Sequence, residues 1–134
     1  KFFYHHIPKP YYLKVNEFQL LSVRSEGQFN TVVYEEEDIY RGQDRRNVVL
    51  MNKNDMNKLN FFKDDKVVIK NDIGTMKNIQ VRPFEIKEGA VLMYYPEVNT
   101  LISQKVDPLS KTPGFKSMIV SVNKADLFHR KIKL

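Results

Sequence analysis

A small closed β-barrel is the fold this sequence predicts, and three observations lead there. Short runs rich in β-branched and aromatic residues recur along the chain: EFQLLSV, VVLM, KVVIK, MKNIQVR, AVLMYY and SMIVSV. Turns and polar connections separate them, without the alternating βαβ order of a parallel doubly wound sheet. Five or six short strands in a chain of 134 residues leave bare edges unless the sheet closes on itself.

The elements follow in order. Residues 1–14 carry Pro8 and Pro10 among five aromatics and read as an extended lead-in. Residues 17–23 form the first strand. TVVY, 31–34, is short and β-rich. EEED, 35–38, is a like-charge run and reads as a solvated loop. VVLM, 48–51, is a buried strand by composition. Asn52 then caps a short helix, KNDMNKLN, with Met56 and Leu59 on its inner face. Residues 66–70 make the next strand, NDIG (71–74) a hairpin turn, and 76–82 the return strand with Ile79 and Val81 inward. Pro83 ends it, and Gly89 marks a second turn. AVLMYY, 90–95, is a core strand, after which Pro96 starts a helical turn through Asn99. Residues 117–122 are the last strand, and the tail from Asn123 reads as a short helix.

Composition narrows the function. The net charge is +6, from 22 basic and 16 acidic residues. That suits an anionic partner, although Lys1, Lys9, Lys14, Lys124, Arg130, Lys131 and Lys133 place much of the excess in solvated ends. Without cysteine, disulfides, thiolate metal sites and cysteine nucleophiles are excluded within this chain. A cytoplasmic location is the expectation, cysteine-free composition being compatible with a reducing compartment. His5, His6 and His129 sit near the ends; adjacent histidines on an extended chain point to opposite sides, so no metal site is expected there. No window approaches the roughly 18 apolar residues of a membrane span. KFFYHHIPKP lacks the apolar stretch and cleavage site of a signal peptide, and the chain starts without methionine; both point to a piece of something longer.

Three polar clusters each follow a core strand: SVRSEGQFNT (22–31), YYPEVNTL (94–101) and DPLSKTPGFKS (107–117). Loops that leave a barrel at one rim converge, which brings together Arg24, Gln28, Asn30, Thr31, Asn99, Ser110, Lys111, Thr112 and Lys116. The set is rich in donors. Arginine grips phosphate through two parallel bonds and lysine adds a mobile charge. Asn and Gln donate and accept on one face, which suits a purine or pterin edge. Gly27 allows close backbone approach, and Phe29 and Phe115 offer flat faces. Glu26, Glu97 and Asp107 are scattered and no histidine falls in the clusters, so no catalytic group and no metal ligand are expected. Local roles compete with binding: Asn99 can cap the turn after Pro96, Asp107 can cap its own turn, and both phenylalanines can be core plugs.

The order of the segments SVRSEGQFNT, RRNVVLMNKNDMNKLNFFKDDKVVI, YYPEVNTL and DPLSKTPGFKSMIVSV resembles the C-terminal molybdopterin dinucleotide-binding domain of the formate dehydrogenase and nitrate reductase superfamily, in particular formate dehydrogenase-like alpha subunits. The likeness covers residues 16–122, and DPLSKTPGFKS, close to D-P-x-S-K-T-P-x-[FY]-K, is its most specific piece. The resemblance implies a six-stranded double-psi β-barrel of the aspartate decarboxylase-like kind, with two or three short helices. Residues 1–15 are then a lead-in from an upstream domain, 16–122 the binding module and 123–134 a tail. It implies a molybdopterin guanine dinucleotide as ligand, two copies of which chelate one molybdenum or tungsten. It places Arg24, Gln28, Phe29, Asn30, Thr31, Asn99, Phe115 and Lys116 on that cofactor. Family members often carry histidine where Gln28 or Phe29 stands, and Glu where Gly114 stands. The metal ligand and any iron–sulfur cluster are expected upstream in the same polypeptide. The module alone is expected to hold the cofactor and to be inactive. The alternative from a different class is a basic nucleic-acid-binding barrel, permitted by the charge and by 12% aromatics. Against it, the aromatics lie in strands and the lead-in, not interleaved with Lys and Arg. A self-processing decarboxylase of the same barrel type lacks its Gly-Ser pair here.

Overall fold

The computed structural model describes residues 2–4, 6–25, 28, 35–114 and 118–125. Each longer β-rich run becomes a strand: β1 Glu17–Val23, β2 Val48–Met51, β3 Lys66–Lys70, β4 Thr75–Pro83, β5 Ala90–Tyr94 and β6 Met118–Lys124. TVVY at 31–34 lies outside the described residues. The six strands close in the order β1-β5-β2-β4-β3-β6. Pairs β1–β5 and β2–β4 are parallel, and the other four are antiparallel. This is the closed barrel with crossed connections that the resemblance implies.

Alternation decides which side chains fill it. Phe18 and Leu20 of β1, Ile79 and Val81 of β4, and Val120 and Val122 of β6 are all buried in one core cluster. Full burial of such a side chain contributes about 1.5–3 kcal/mol relative to exposure. All four residues of β2 are buried. Val49 and Met51 join the barrel core, whereas Val48 and Leu50 pack outside with Tyr94 in a second cluster. Both faces of β2 are therefore covered, which is why its sequence is a continuous apolar run.

After β2 the chain forms helix α1, Lys53–Lys58. Asn52 caps it, its side-chain oxygen accepting from the Asn54 amide at 2.7 Å, while its amide nitrogen donates to the Ile86 carbonyl. Met56 is buried and Leu59 packs against the core. Asn52→Ala removes both bonds and is expected to cost about 1 kcal/mol. A urea midpoint that does not move would show that the cap is irrelevant.

The NDIG turn joins β3 to β4. The Asn71 side-chain oxygen accepts from the amides of Ile73 at 2.9 Å and Gly74 at 3.0 Å. The β3–β4 register shifts between Val67 and Ile69, and Asn78 there has φ +58°. Asparagine tolerates the left-handed conformation that the bulge needs. At the far end, Asn123 and Lys124 continue β6 instead of starting a helix, because Val67 and Val68 of β3 pair with them. The rest of the tail lies outside the described residues. The lead-in shows no regular structure where it is described, and Tyr11 ties it to β1 by donating to Glu17 at 2.9 Å.

Candidate functional site

Register alone brings the three polar connections to one rim. β1 and β5 run parallel with Val23 beside Tyr94, so the loops that follow them leave at the same end. β6 runs against β1, with Met118 beside Leu20, so the segment entering β6 arrives there too. The chain entering β2 and the β3–β4 hairpin share that end, because β2 opposes β5 and β3 opposes β6. Helix α1 and the lead-in belong to the opposite rim.

The first two loops are bound to each other through Arg46, a residue the sequence reading did not single out. Its side chain is 3% exposed, against 28% for Glu97, its acidic partner. Nε and Nη2 donate to the two Glu97 carboxylate oxygens at 2.7 and 3.1 Å, the fork-to-fork geometry of a strong pair. Nη1 donates to Ser25 Oγ at 2.7 Å, and Nη2 also reaches the Tyr95 carbonyl. The guanidinium lies 5.1 Å from the centre of the Tyr94 ring. One cation thus ties the loop after β1 to the loop after β5.

A second buried acid lies beside it. Asp38 is 1% exposed and accepts from Tyr94 Oη at 2.7 Å and Arg41 Nη1 at 2.6 Å. Arg41 Nη1 also donates to the Arg24 carbonyl at 3.0 Å. Burial, and then the bond to Asp38, push the Tyr94 phenol well above the usual tyrosine range. The expectation of a solvated EEED loop is therefore corrected at its last residue. Glu35, Glu36 and Glu37 are exposed, but Asp38 is buried, since a guanidinium and a phenol offset its desolvation.

The expected site residues fall into three groups. Arg24 is exposed on the rim, its guanidinium 5.3 Å from the centre of the Tyr95 ring. Asn99 is exposed too, on the short 3-10 helix Glu97–Leu101 whose first turn follows Pro96. Gln28 is instead buried. Its oxygen accepts from the Ser25 amide at 3.2 Å and from Arg46, and its nitrogen donates to the Tyr95 carbonyl at 3.0 Å. Phe29, Asn30, Thr31, Phe115 and Lys116 lie outside the described residues, as do His5 and His129.

The third loop is a small hairpin closed by a bridge between Val106 and Pro113. Asp107 caps its turn, accepting from the amides of Leu109 at 3.0 Å and Ser110 at 2.7 Å. The Ser110 bonds hold the Asp107 carboxyl below the usual range. Thr112 Oγ1 donates to the Ser110 carbonyl, so Asp107, Ser110 and Thr112 shape the turn. Lys111, at φ +55°, stands exposed. The β3–β4 hairpin docks on the second loop, with Asn71 donating to the Leu101 carbonyl at 2.7 Å. Gly74 is required there, since a Cβ would stand 2.4 Å from the Thr100 carbonyl oxygen.

An exposed guanidinium and an exposed carboxamide on loops tied to each other suit an anionic ligand with an amide-bearing ring system. Among the described residues, no group of three His, Cys, Asp or Glu is placed to hold a metal, and no helix is long and apolar enough to cross a membrane. The chain is 29% identical over 112 residues to Protein YdeP of Escherichia coli K12, across 77% of its own length and 15% of YdeP; a Shigella flexneri protein of the same name matches equally. The chain thus spans a small part of these curated relatives. Acetylene hydratase from Pelobacter acetylenicus contains the same fold, with a TM-score of 0.60 at 14% identity over 81% of this chain and 18% of that one. A rationally designed protein, apDPBB_sym_79, matches with a TM-score of 0.50 at 20% identity over 81% of this chain and 96% of its own. The fold is the double-psi β-barrel. The family model for the molydopterin dinucleotide binding domain matches residues 18–119, and this chain belongs to that family.

Proposed function

We propose that this chain is the C-terminal, cofactor-holding module of a molybdenum- or tungsten-dependent oxidoreductase. The ligand in this reading is a molybdopterin guanine dinucleotide, one of a pair. The parent is a cytoplasmic, formate dehydrogenase-like enzyme whose upstream domains provide the metal ligand and the rest of the pocket. The observation that carries the reading is the shared rim: a chain of this family presents Arg24 and Asn99 from two loops pinned to each other by Arg46.

In this reading Arg24 grips the pyrophosphate and Asn99 pairs with an amide edge of the ring system. Lys116 adds a point charge, with Phe29 and Phe115 flanking a ring and Asn30 and Thr31 adding hydrogen bonds. Gln28, buried against Tyr95, enters as the residue that sets the loop's path. The bound metal supplies the redox chemistry. The chain's own residues bind, orient and exclude water, so the module alone is inactive. Formate as substrate rests on the sequence resemblance.

Arg24→Ala, Asn99→Ala and Lys116→Ala in the full-length polypeptide are each expected to lower pterin content about tenfold, the effect of losing one charge-assisted or amide bond. The thermal midpoint should stay at the wild-type value. Wild-type metal and pterin content in all three variants would overturn the site assignment. Formate oxidation by the wild-type polypeptide with an artificial electron acceptor tests the substrate.

A further inference from the structure

We infer that the Arg46–Glu97 pair is a positioning device for the ligand mouth, and not chiefly a source of stability. The inference rests on the functional reading above and extends it to residues that touch no cofactor. Three observations converge. Arg46 joins segments far apart in the chain, reaching back 21 residues to Ser25 and forward 51 to Glu97. Its partners stand beside the rim residues, since Ser25 follows Arg24 and Glu97 opens the 3-10 helix that carries Asn99. Tyr95, whose carbonyl accepts from Arg46, also bears the ring under Arg24.

Stability alone does not call for this pair. A buried ion pair is commonly matched or bettered by apolar side chains of similar volume. Here the neighbouring groups have other partners as well. Gln28 Nε2 also donates to the Tyr95 carbonyl, and Ser25 Oγ also donates to Gln28 Oε1. What apolar replacements cannot reproduce is direction. A forked cation fixes the distance and the angle between the two loops, and Leu against Met does not.

The test separates the two roles with the full-length polypeptide carrying Arg46→Met/Glu97→Leu. Three quantities are read: the thermal midpoint, amide exchange at Arg24, Ser25, Gln28 and Asn99, and molybdopterin guanine dinucleotide content (oxidised-pterin fluorescence together with released GMP). The inference expects a midpoint close to wild type. It expects exchange at the four amides to be faster by about tenfold or more, with the strands unchanged. Dinucleotide content should fall by about tenfold. Glu97→Leu alone should lower the midpoint as well, showing that the second substitution restores folding but not binding. A double variant with wild-type dinucleotide content overturns the inference, whatever its exchange rates. A double variant that unfolds also overturns it, because the pair would then be chiefly a source of stability. Wild-type protein that carries no pterin dinucleotide overturns the functional reading itself, a result distinguishable from both.

Discussion

Glu97→Leu is expected to destabilise the barrel by about 4 kcal/mol, roughly twice the effect of Arg46→Met. The asymmetry comes from where each charge is left. Without Glu97, a guanidinium 3% exposed stays inside the protein and loses the carboxylate on which it forks. The Ser25 hydroxyl, the Tyr95 carbonyl and the Tyr94 ring soften the loss but carry no full negative charge. Without Arg46, the carboxylate left behind is 28% exposed and turns to water. That places Arg46→Met near the cost of a few lost hydrogen bonds, about 2 kcal/mol. Urea titrations of the two variants at neutral pH decide the order. Arg46→Met as the more damaging change would mean that Glu97 is buried more deeply than its exposure indicates.

The same pair shows where a sequence stops being readable. The strands could be read because their evidence is local. VVLM, KVVIK and AVLMY each carry their own apolar pattern, and Asn52 precedes the helix that it caps. The meeting of the three loops at one rim also followed, once closure of the barrel was inferred. Arg46 escapes notice because RR before an apolar strand looks like any solvated charge, and its partners lie 11 to 51 residues away. The burial of Asp38 is hidden for a similar reason. Three exposed glutamates precede it, and its phenol partner is 56 residues away. Gln28 is expected on the ligand from its place in the first loop, and nothing local announces that its buried amide also engages Ser25, Tyr95 and Arg46. The bulge at Asn78 depends on a partner strand, so no local pattern announces it. Long-range polar pairing is what the sequence conceals, at the candidate site and also at the opposite rim, where Asn54 and Lys58 meet Glu88.

Asp38→Ala is expected to cost about 3 kcal/mol, and Tyr94→Phe about 1–2 kcal/mol. Asp38 is 1% exposed, and the Tyr94 hydroxyl points at its carboxylate. Removing the carboxylate leaves a buried phenol with a lost acceptor and releases Arg41. Arg41 is 26% exposed, which lets it reach water and holds the cost at the low end for a broken buried pair. Removing the phenol oxygen leaves Asp38 still paired with Arg41, so less is lost. The two changes also differ in pH dependence. The Tyr94 pKa is raised in the folded protein by burial and by Asp38. A group raised above its unfolded value contributes stability that is complete below the ordinary tyrosine value of about 10 and is lost as pH rises through the folded value. The stability gap between wild type and Tyr94→Phe should therefore stay constant from pH 7 to 9 and narrow at higher pH. Urea midpoints across that range measure it. A gap that widens in alkali would mean that the phenol ionises more easily in the folded barrel than in water, contrary to its burial against a carboxylate.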